Sequence, residues 1–346
     1  PGPVEVGRVE RQLMVRIEDV AEVPRRRFAV GLVPDEDAVV LLVDRPHPEA
    51  LRTVRPVFVG DQLVFAVRTP LPPVVRALHA VAVRLPPAAE VRAVMVGVDI
   101  DVGEILLADR LKAQGRRLDL VLGHHPIGRA YAGFYNVMGM QAEIVSGLGV
   151  PIAIAEALIE ERMREVEHRV MPVNHTRAVD AARLLGVPLA CMHTPADNCA
   201  TTHLQRLFDR RKPARAGDIM DLLVEIPEYR NASANNAPPK IIAGKEGRRA
   251  GRIFVDMTGG TEGPVKVLGK IADAGVGTLV CMHLSEKHLE EAKKQNLNVI
   301  VAGHMASDNL GLNILLDAVC GNERIEIIPC SGFERVARGR GGERGA

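Results

Sequence analysis

Residues 92–126 read RAVMVGVDIDVGEILLADRLKAQGRRLDLVLGHHP, and their pattern decides the fold. The apolar run RAVMVGVDI predicts a strand. VGEILLADRLKAQG places apolar residues at 105, 106, 108 and 111 and predicts an amphipathic helix. LDLVLG (118–123) is a second strand, and it stops at His124-His125-Pro126. Strand, helix and strand in so short a span are the unit of an α/β layer fold with a largely parallel sheet.

The alternation continues outward. Helices are predicted over GMQAEIVSGLG, AIAEALIEERMREVEHRV and 176–185, then a strand over PLACMH (188–193) and a helix over 199–209. EIPEYRNASANNAPPK (225–240) reads as a polar, proline-punctuated loop between two lobes. Beyond it come strand RIFVDM, helix 264–274, strand GTLVCMH, helix 285–295, strand LNVIVAG, helix 308–319 and strand RIEIIPC. The expected organisation is a first α/β lobe at 91–224, the loop at 225–240 and a second α/β lobe at 241–335. A flexible Gly/Arg-rich tail follows at 336–346.

Residues 1–90 differ in kind. They hold 12 of the 23 Pro, 20 Val and 12 Arg, yet no Lys, Ser, Asn, Cys or Tyr. RPVFVGDQLVFAVR has the form of a tight hairpin around Gly60-Asp61, and FAVGLV and AVVLLVD are further short strands. The segment is expected to be a small β-rich module or a poorly ordered extension.

Composition excludes several classes. With 44 basic against 43 acidic residues there is no basic excess for general nucleic-acid binding. No apolar run reaches the roughly 18–20 residues that span a bilayer, and the opening residues lack the order of a signal peptide. Five Cys, all beyond residue 190 and with no CxxC pair, indicate neither a disulfide framework nor a thiolate zinc site. The expected location is cytoplasmic.

Chemistry-bearing residues gather directly after strands, where open α/β sheets bind ligands. The clusters are His124-His125, His193 with Asp197, and His304 with Asp308. Pro126 keeps His125 extended, so the two imidazoles diverge and suit two neighbouring metals better than one. Each cluster also has a plainer reading: a packed histidine, or a carboxylate capping the next helix. Together they offer imidazole and carboxylate without thiolate. That donor set suits Zn, Mn, Fe, Ni or Co. Two such divalent ions would polarise a substrate oxygen and make a bound hydroxide, the chemistry of metal-assisted hydrolysis.

The motifs GVDIDVGEILLADRL, DLVLGHHPIG, CMHTPADNC, FVDMTGGTEG and VIVAGHMASDNLGLNILLD, in this order over about residues 91–335, resemble the NGG-interacting-factor-three-like family. The resemblance implies two α/β lobes with a dinuclear metal site in the cleft between them, assembled as a homo-oligomer, commonly a toroidal hexamer. It implies metal ligands at His124, His125, Asp197, His304 and Asp308. The last position is more often Glu in the wider family, so Asp308 is a shorter carboxylate. Members carry the label GTP cyclohydrolase I type 2 homologue. The larger domain that some insert between lobes is absent, and residues 1–90 match nothing in the family.

Thr258-Gly259-Gly260-Thr261, between a strand and a helix, is a candidate anion subsite or a structural turn. His193 is a candidate proton carrier. Cys191 and Cys199 flank the His193–Asp197 loop, and Cys191, continuing an apolar strand, reads as a small buried hydrophobe rather than a nucleophile. His283 is expected to be structural, and His47, His79, His168 and His288 solvated. The expected function is a metal-dependent hydrolase of a nucleotide-like or phosphorylated small molecule. A non-catalytic metal-binding adaptor or regulator is the alternative.

Overall fold

The computed structural model describes residues 91–320 and 324–338, together with four short strands at 28–32, 39–43, 57–59 and 62–64. Those strands are β1 (Phe28–Leu32), β2 (Val39–Val43), β3 (Val57–Val59) and β4 (Gln62–Val64). β1 pairs antiparallel with β2, and β3 with β4, in the register of a hairpin around 60–61. The remainder of the 1–90 reading lies outside the described residues.

The first main sheet begins with β5 (Ala93–Gly97). Asp101 and Glu104 then form a capping box that starts α1 (Val102–Ala113). Ile105 and Ala108 of α1 are buried, whereas Leu106 faces outward. After β6 (Leu120–Gly123) come α2 (Gly128–Ala132), a 3-10 turn (Phe134–Gly139), α3 (Met140–Gly147), α4 (Ile152–Val170) and α5 (Arg177–Leu185). β7 (Leu189–Cys191) follows, then α6 (Thr194–Arg211), α7 (Ala216–Glu225) and α8 (Pro227–Ala234). The expected 225–240 loop is thus largely helical. Pro227 occupies the first helical position, where its missing N–H costs nothing, so it starts a helix instead of breaking one.

The second sheet contains β8 (Lys240–Ala243), β9 (Arg252–Asp256), β10 (Val276–Cys281) and β11 (Asn298–Val301). Helices α9 (Val267–Asp273) and α10 (Glu286–Lys294) link its parallel strands. Its order is β8-β11-β10-β9, parallel except for β8. The chain then forms α11 (His304–Cys320) and ends on β12 (Glu326–Pro329). The alternation places RIEIIPC in the second lobe, but β12 pairs parallel with β5 and completes the first sheet, ordered β12-β5-β6-β7. Residues 336–338 are also held: Val336 N and Arg338 N donate to Asn313 and Asp317 on α11.

Strand side chains alternate between faces, and the cores follow that period of two. Met95 and Val121 pack with Ile105 of α1 and Ala182 of α5. Val94, Val96 and Leu122 pack on the other face, with Ala196 and Cys199 of α6 and Leu312 of α11. In the second sheet Val255, Val280 and Ile300 face Leu204 of α6, Tyr229 of α8 and Leu310 of α11. Phe254, Leu279 and Val299 turn to α3, α4, α9 and α10. Helices α6 and α11 are therefore the shared middle layer between two sheets. Gly311 of α11 lets them touch, because a Cβ there would overlap the Ala196 carbonyl of α6. A mid-helix glycine costs about 1 kcal/mol relative to alanine. Here it admits the Ala196 carbonyl of α6 against the α11 backbone. That approach brings the first turn of α6, which carries Asp197, beside the second turn of α11, which opens on Asp308.

Candidate metal centre

The strand ends of both sheets open onto one cleft. β6 delivers His124 and His125, β7 delivers His193, β10 delivers His283 and β11 leads into His304. The two carboxylates come from the middle helices. Asp197 lies in the first turn of α6, whose N-cap is His193, so the expected loop there is helical. Helix α11 likewise begins at His304, four residues before the expected start, and Ser307 lies inside its first turn. Asp197 and Asp308 are thus intrahelical side chains rather than caps.

His124 is fully buried. Its Nδ1 lies 3.2 Å from the Met192 carbonyl, an acceptor, so Nδ1 carries a hydrogen and Nε2 turns to the carboxylates. That Nε2 stands 3.3 Å from Asp197 Oδ1 and 3.3 Å from Asp308 Oδ1. His125 is oriented the same way: its Nδ1 meets Asp99 Oδ1 at 2.6 Å, and its Nε2 lies 3.4 Å from His304 Nε2 and 3.6 Å from Asp308 Oδ2. His304 Nε2 is 3.5 Å from the same Asp308 oxygen, and His193 Nδ1 is 3.2 Å from Asp197 Oδ2. All five residues carried over as ligands, and His193, come together.

The contacts of the imidazoles with Asp197 and Asp308 do not amount to hydrogen bonds, unlike those of His124 Nδ1 with Met192 and His125 Nδ1 with Asp99. His124 Nε2, His193 Nδ1, Asp197 Oδ1 and both Asp308 oxygens are buried with no hydrogen-bond partner. A buried polar atom without a partner costs about 1–3 kcal/mol, more if charged. Five such atoms aimed at common points are the donor pattern a cation satisfies. Among the described residues, three sets could hold a metal ion: His124/Asp197/Asp308, His125/His304/Asp308 and His124/His125/His193. Ligand atoms within each set lie within 4.8 Å of one another.

The electrostatics agree. Burial works against a charged His124, yet Asp308 and Asp197 outweigh it and push the imidazole up to about 10. In the absence of a metal a proton supplies the positive charge these carboxylates require. Burial pushes His193 down to about 4, with the neighbouring imidazoles adding to it, and also lowers His304. Burial raises Asp308, but His124 and the other histidines hold it below the usual carboxylate range.

The cleft cavity, about 580 Å³, is walled on the far side by the second lobe. Asp256, at the end of β9, is pushed up to about 6 by burial and by Glu262. Glu262 Oε1 meets His283 Nδ1 at 3.2 Å and accepts from Ser285 N at 2.7 Å. His283, expected to be structural, lies in the cleft with its ring 4.9 Å from that of His304. His288 is not solvated: it is 7% exposed, with Nδ1 2.6 Å from Ser285 Oγ and Nε2 2.8 Å from the Gly263 carbonyl. An (i, i+3) spacing from the helix cap at Ser285 turns it inward. His168 is exposed, as expected, while His47 and His79 lie outside the described residues. Asp99, Asp256 and Glu262 went unremarked in the sequence, although Asp99 and Asp256 occupy the same strand-end position as the histidines.

Thr258, Gly260 and Thr261 line the cavity. The glycines of this turn have a packing cause. Gly259 and Gly260 sit at φ 89° and 94°, and Gln141 Nε2 donates to the carbonyls of Gly259 (2.6 Å) and Thr261 (2.7 Å). Cys191 and Cys199 are buried, and burial beside Asp197 pushes the Cys199 thiol up to about 12. No helix among the described residues is long and apolar enough to cross a membrane.

Fold and site define a two-lobed α/β protein with a His/Asp cluster, able to hold metal, in its cleft. No protein-family model matches the chain, and no curated protein matches it significantly. Among solved structures it is similar to a NIF3 superfamily protein from Sphaerobacter thermophilus, with 29% identity and a TM-score of 0.62 over 70% of this chain and 88% of that one. Reduced HcgD from Methanocaldococcus jannaschii matches at 15% identity and TM-score 0.41, over 71% and 86%. A Bacillus cereus protein related to NIF3 matches at 10% and 0.36, over 72% and 90%. The Sphaerobacter likeness, taken with the motifs assembled at the cleft, supports a NIF3-like family assignment.

Proposed function

We propose that the cleft binds two divalent metal ions and that the protein is a metal-dependent hydrolase of a nucleotide-like or phosphorylated small molecule. The observation that carries this reading is the convergence of five unpartnered buried donor atoms on shared points. His124, Asp197 and Asp308 would hold one ion, and His125, His304 and Asp308 the other, with Asp308 common to both. Bound there, the ions supply Lewis-acid polarisation and activation of water. The chain's own residues set the geometry. The Met192 carbonyl and Asp99 fix which nitrogens of His124 and His125 face the cleft. His193, beside Asp197 in the cleft, would carry a proton. Asp256, Thr258 and His283 line the opposite wall and would contact the substrate. The protein would work as a homo-oligomer in the cytoplasm.

The test is elemental analysis of protein purified without chelator, followed by hydrolysis assays over phosphomonoesters, phosphodiesters and nucleotides. Two metals per chain and a metal-dependent turnover are expected. Asp308→Asn should lose both ions, because it serves both sets, whereas Asp197→Asn should retain about one. A chain with no metal and unchanged stability in chelator overturns the metal reading. Full loading without turnover on any substrate favours the adaptor alternative.

A further inference from the structure

After β12 the chain runs alongside α11, and its backbone is read by side chains one helical turn apart. Asn309 Nδ2 donates to the Gly332 carbonyl at 2.9 Å, and its Oδ1 accepts from Glu334 N at 2.6 Å. One turn on, Asn313 Nδ2 donates to the Glu334 carbonyl at 2.9 Å, and its Oδ1 accepts from Val336 N at 3.0 Å. A further turn on, Asp317 Oδ2 accepts from Arg338 N at 2.9 Å. The contacted backbone positions are 332, 334, 336 and 338. Two residues of extended chain advance about 6.6 Å, and four residues of helix about 6 Å. The near match lets a helix present the donors and acceptors that a strand edge would otherwise supply. Both NH2 groups are fully used, since Asn309 Nδ2 also donates to Met305 O (2.7 Å) and Asn313 Nδ2 to Glu228 Oε1 (3.1 Å). Two arginines pin the segment: Arg335 pairs with Asp317, and Arg338 with the buried Glu228.

The segment connects both halves of the candidate centre. At its start Cys330 N donates to Val96 O (2.8 Å) and Val98 N to Ser331 O (3.0 Å). The next residue, Asp99, orients His125. Just beyond, Gly332 and Glu334 are held by Asn309, which directly follows Asp308. We infer that residues 330–338 are a brace and that Asn309 and Asn313 are positioning residues, holding α11 so that His304 and Asp308 meet the β6 histidines. The inference rests on the metal reading of the cleft.

The test uses the full chain, with Co(II) as probe, and the variants Asn309→Ala and Asn313→Ala. Two readouts are taken: amide hydrogen exchange at Glu334, Val336 and Arg338 without metal, and Co(II) affinity with its visible absorption spectrum. The amides should exchange at least about tenfold faster. Affinity should fall roughly tenfold or more, with a changed spectrum that marks altered ligand geometry. Arg116→Ala, which breaks a surface pair with Glu326 on β12, should alter neither readout. Should the asparagine variants not fold, Arg338→Ala loosens the far end of the segment and is read the same way. Unchanged exchange overturns the ladder, and faster exchange with unchanged affinity and spectrum overturns the positioning role. A wild-type chain that takes up no Co(II) is a different failure, that of the metal reading itself.

Discussion

The Ala196 carbonyl occupies the place where Gly311 would carry a Cβ. Two helices from distant parts of the chain touch there, and the contact lies within one turn of both Asp197 and Asp308. Each of these carboxylates stands 3.3 Å from His124 Nε2.

Gly311→Ala should therefore be destabilising, although alanine is the better helix former. The overlap is with backbone, which cannot rotate away, so overpacking of about 1–3 kcal/mol outweighs the gain of about 1 kcal/mol in propensity. Urea denaturation of metal-free protein measures it. A variant as stable as the wild type would show that the helices are not in this contact.

Near pH 6.5 metal-free protein keeps the stabilising contributions of both His193 and His124, and each is lost in one direction, the raised Asp256 offsetting part of the acid-side loss. His193, pushed down to about 4, stays unprotonated in the fold while the unfolded chain takes up a proton, so stability falls as pH drops from 6.5 towards 4. His124, pushed up to about 10, contributes stability in full below pH 6.5 and loses it as pH rises through about 10. Each proton contributes at most about 1.4 kcal/mol per pH unit. Denaturation midpoints in chelator across pH 4–10 check this. A metal must displace the His124 proton, so binding at pH 7 should release protons, measurable by calorimetry in buffers of different ionisation enthalpy.

His288→Ala should destabilise by roughly 1–3 kcal/mol, since it strips partners from Ser285 Oγ and the Gly263 carbonyl and leaves Glu262 less restrained. Chemical denaturation reads the loss. A neutral substitution would return His288 to the role of a solvated surface residue.

Most elements of the body were legible because their signals are local. The alternation of apolar strands and amphipathic helices from residue 91 placed β5, α1, β6, β10 and α10 close to their observed bounds. The strand-end histidines stood out because a strand end is a position along the chain. The errors arose where a local signal has two readings. Pro227 reads as a breaker or as a first helical residue, and Asp197 as a cap or as part of a first turn. His288 reads as surface until the spacing from Ser285 turns it under the loop.

The sequence by itself determined a two-lobed α/β body with imidazoles and carboxylates at strand ends, since periodicity and side-chain chemistry are properties of short stretches. Tertiary structure decided which of those groups meet. It returned β12 to the first sheet, set α6 against α11 through Gly311, and laid residues 332–338 on the asparagine ladder. Each of these joins segments far apart in the chain. Their selection depends on shape complementarity and on satisfying buried polar groups, and no short stretch of sequence carries that information.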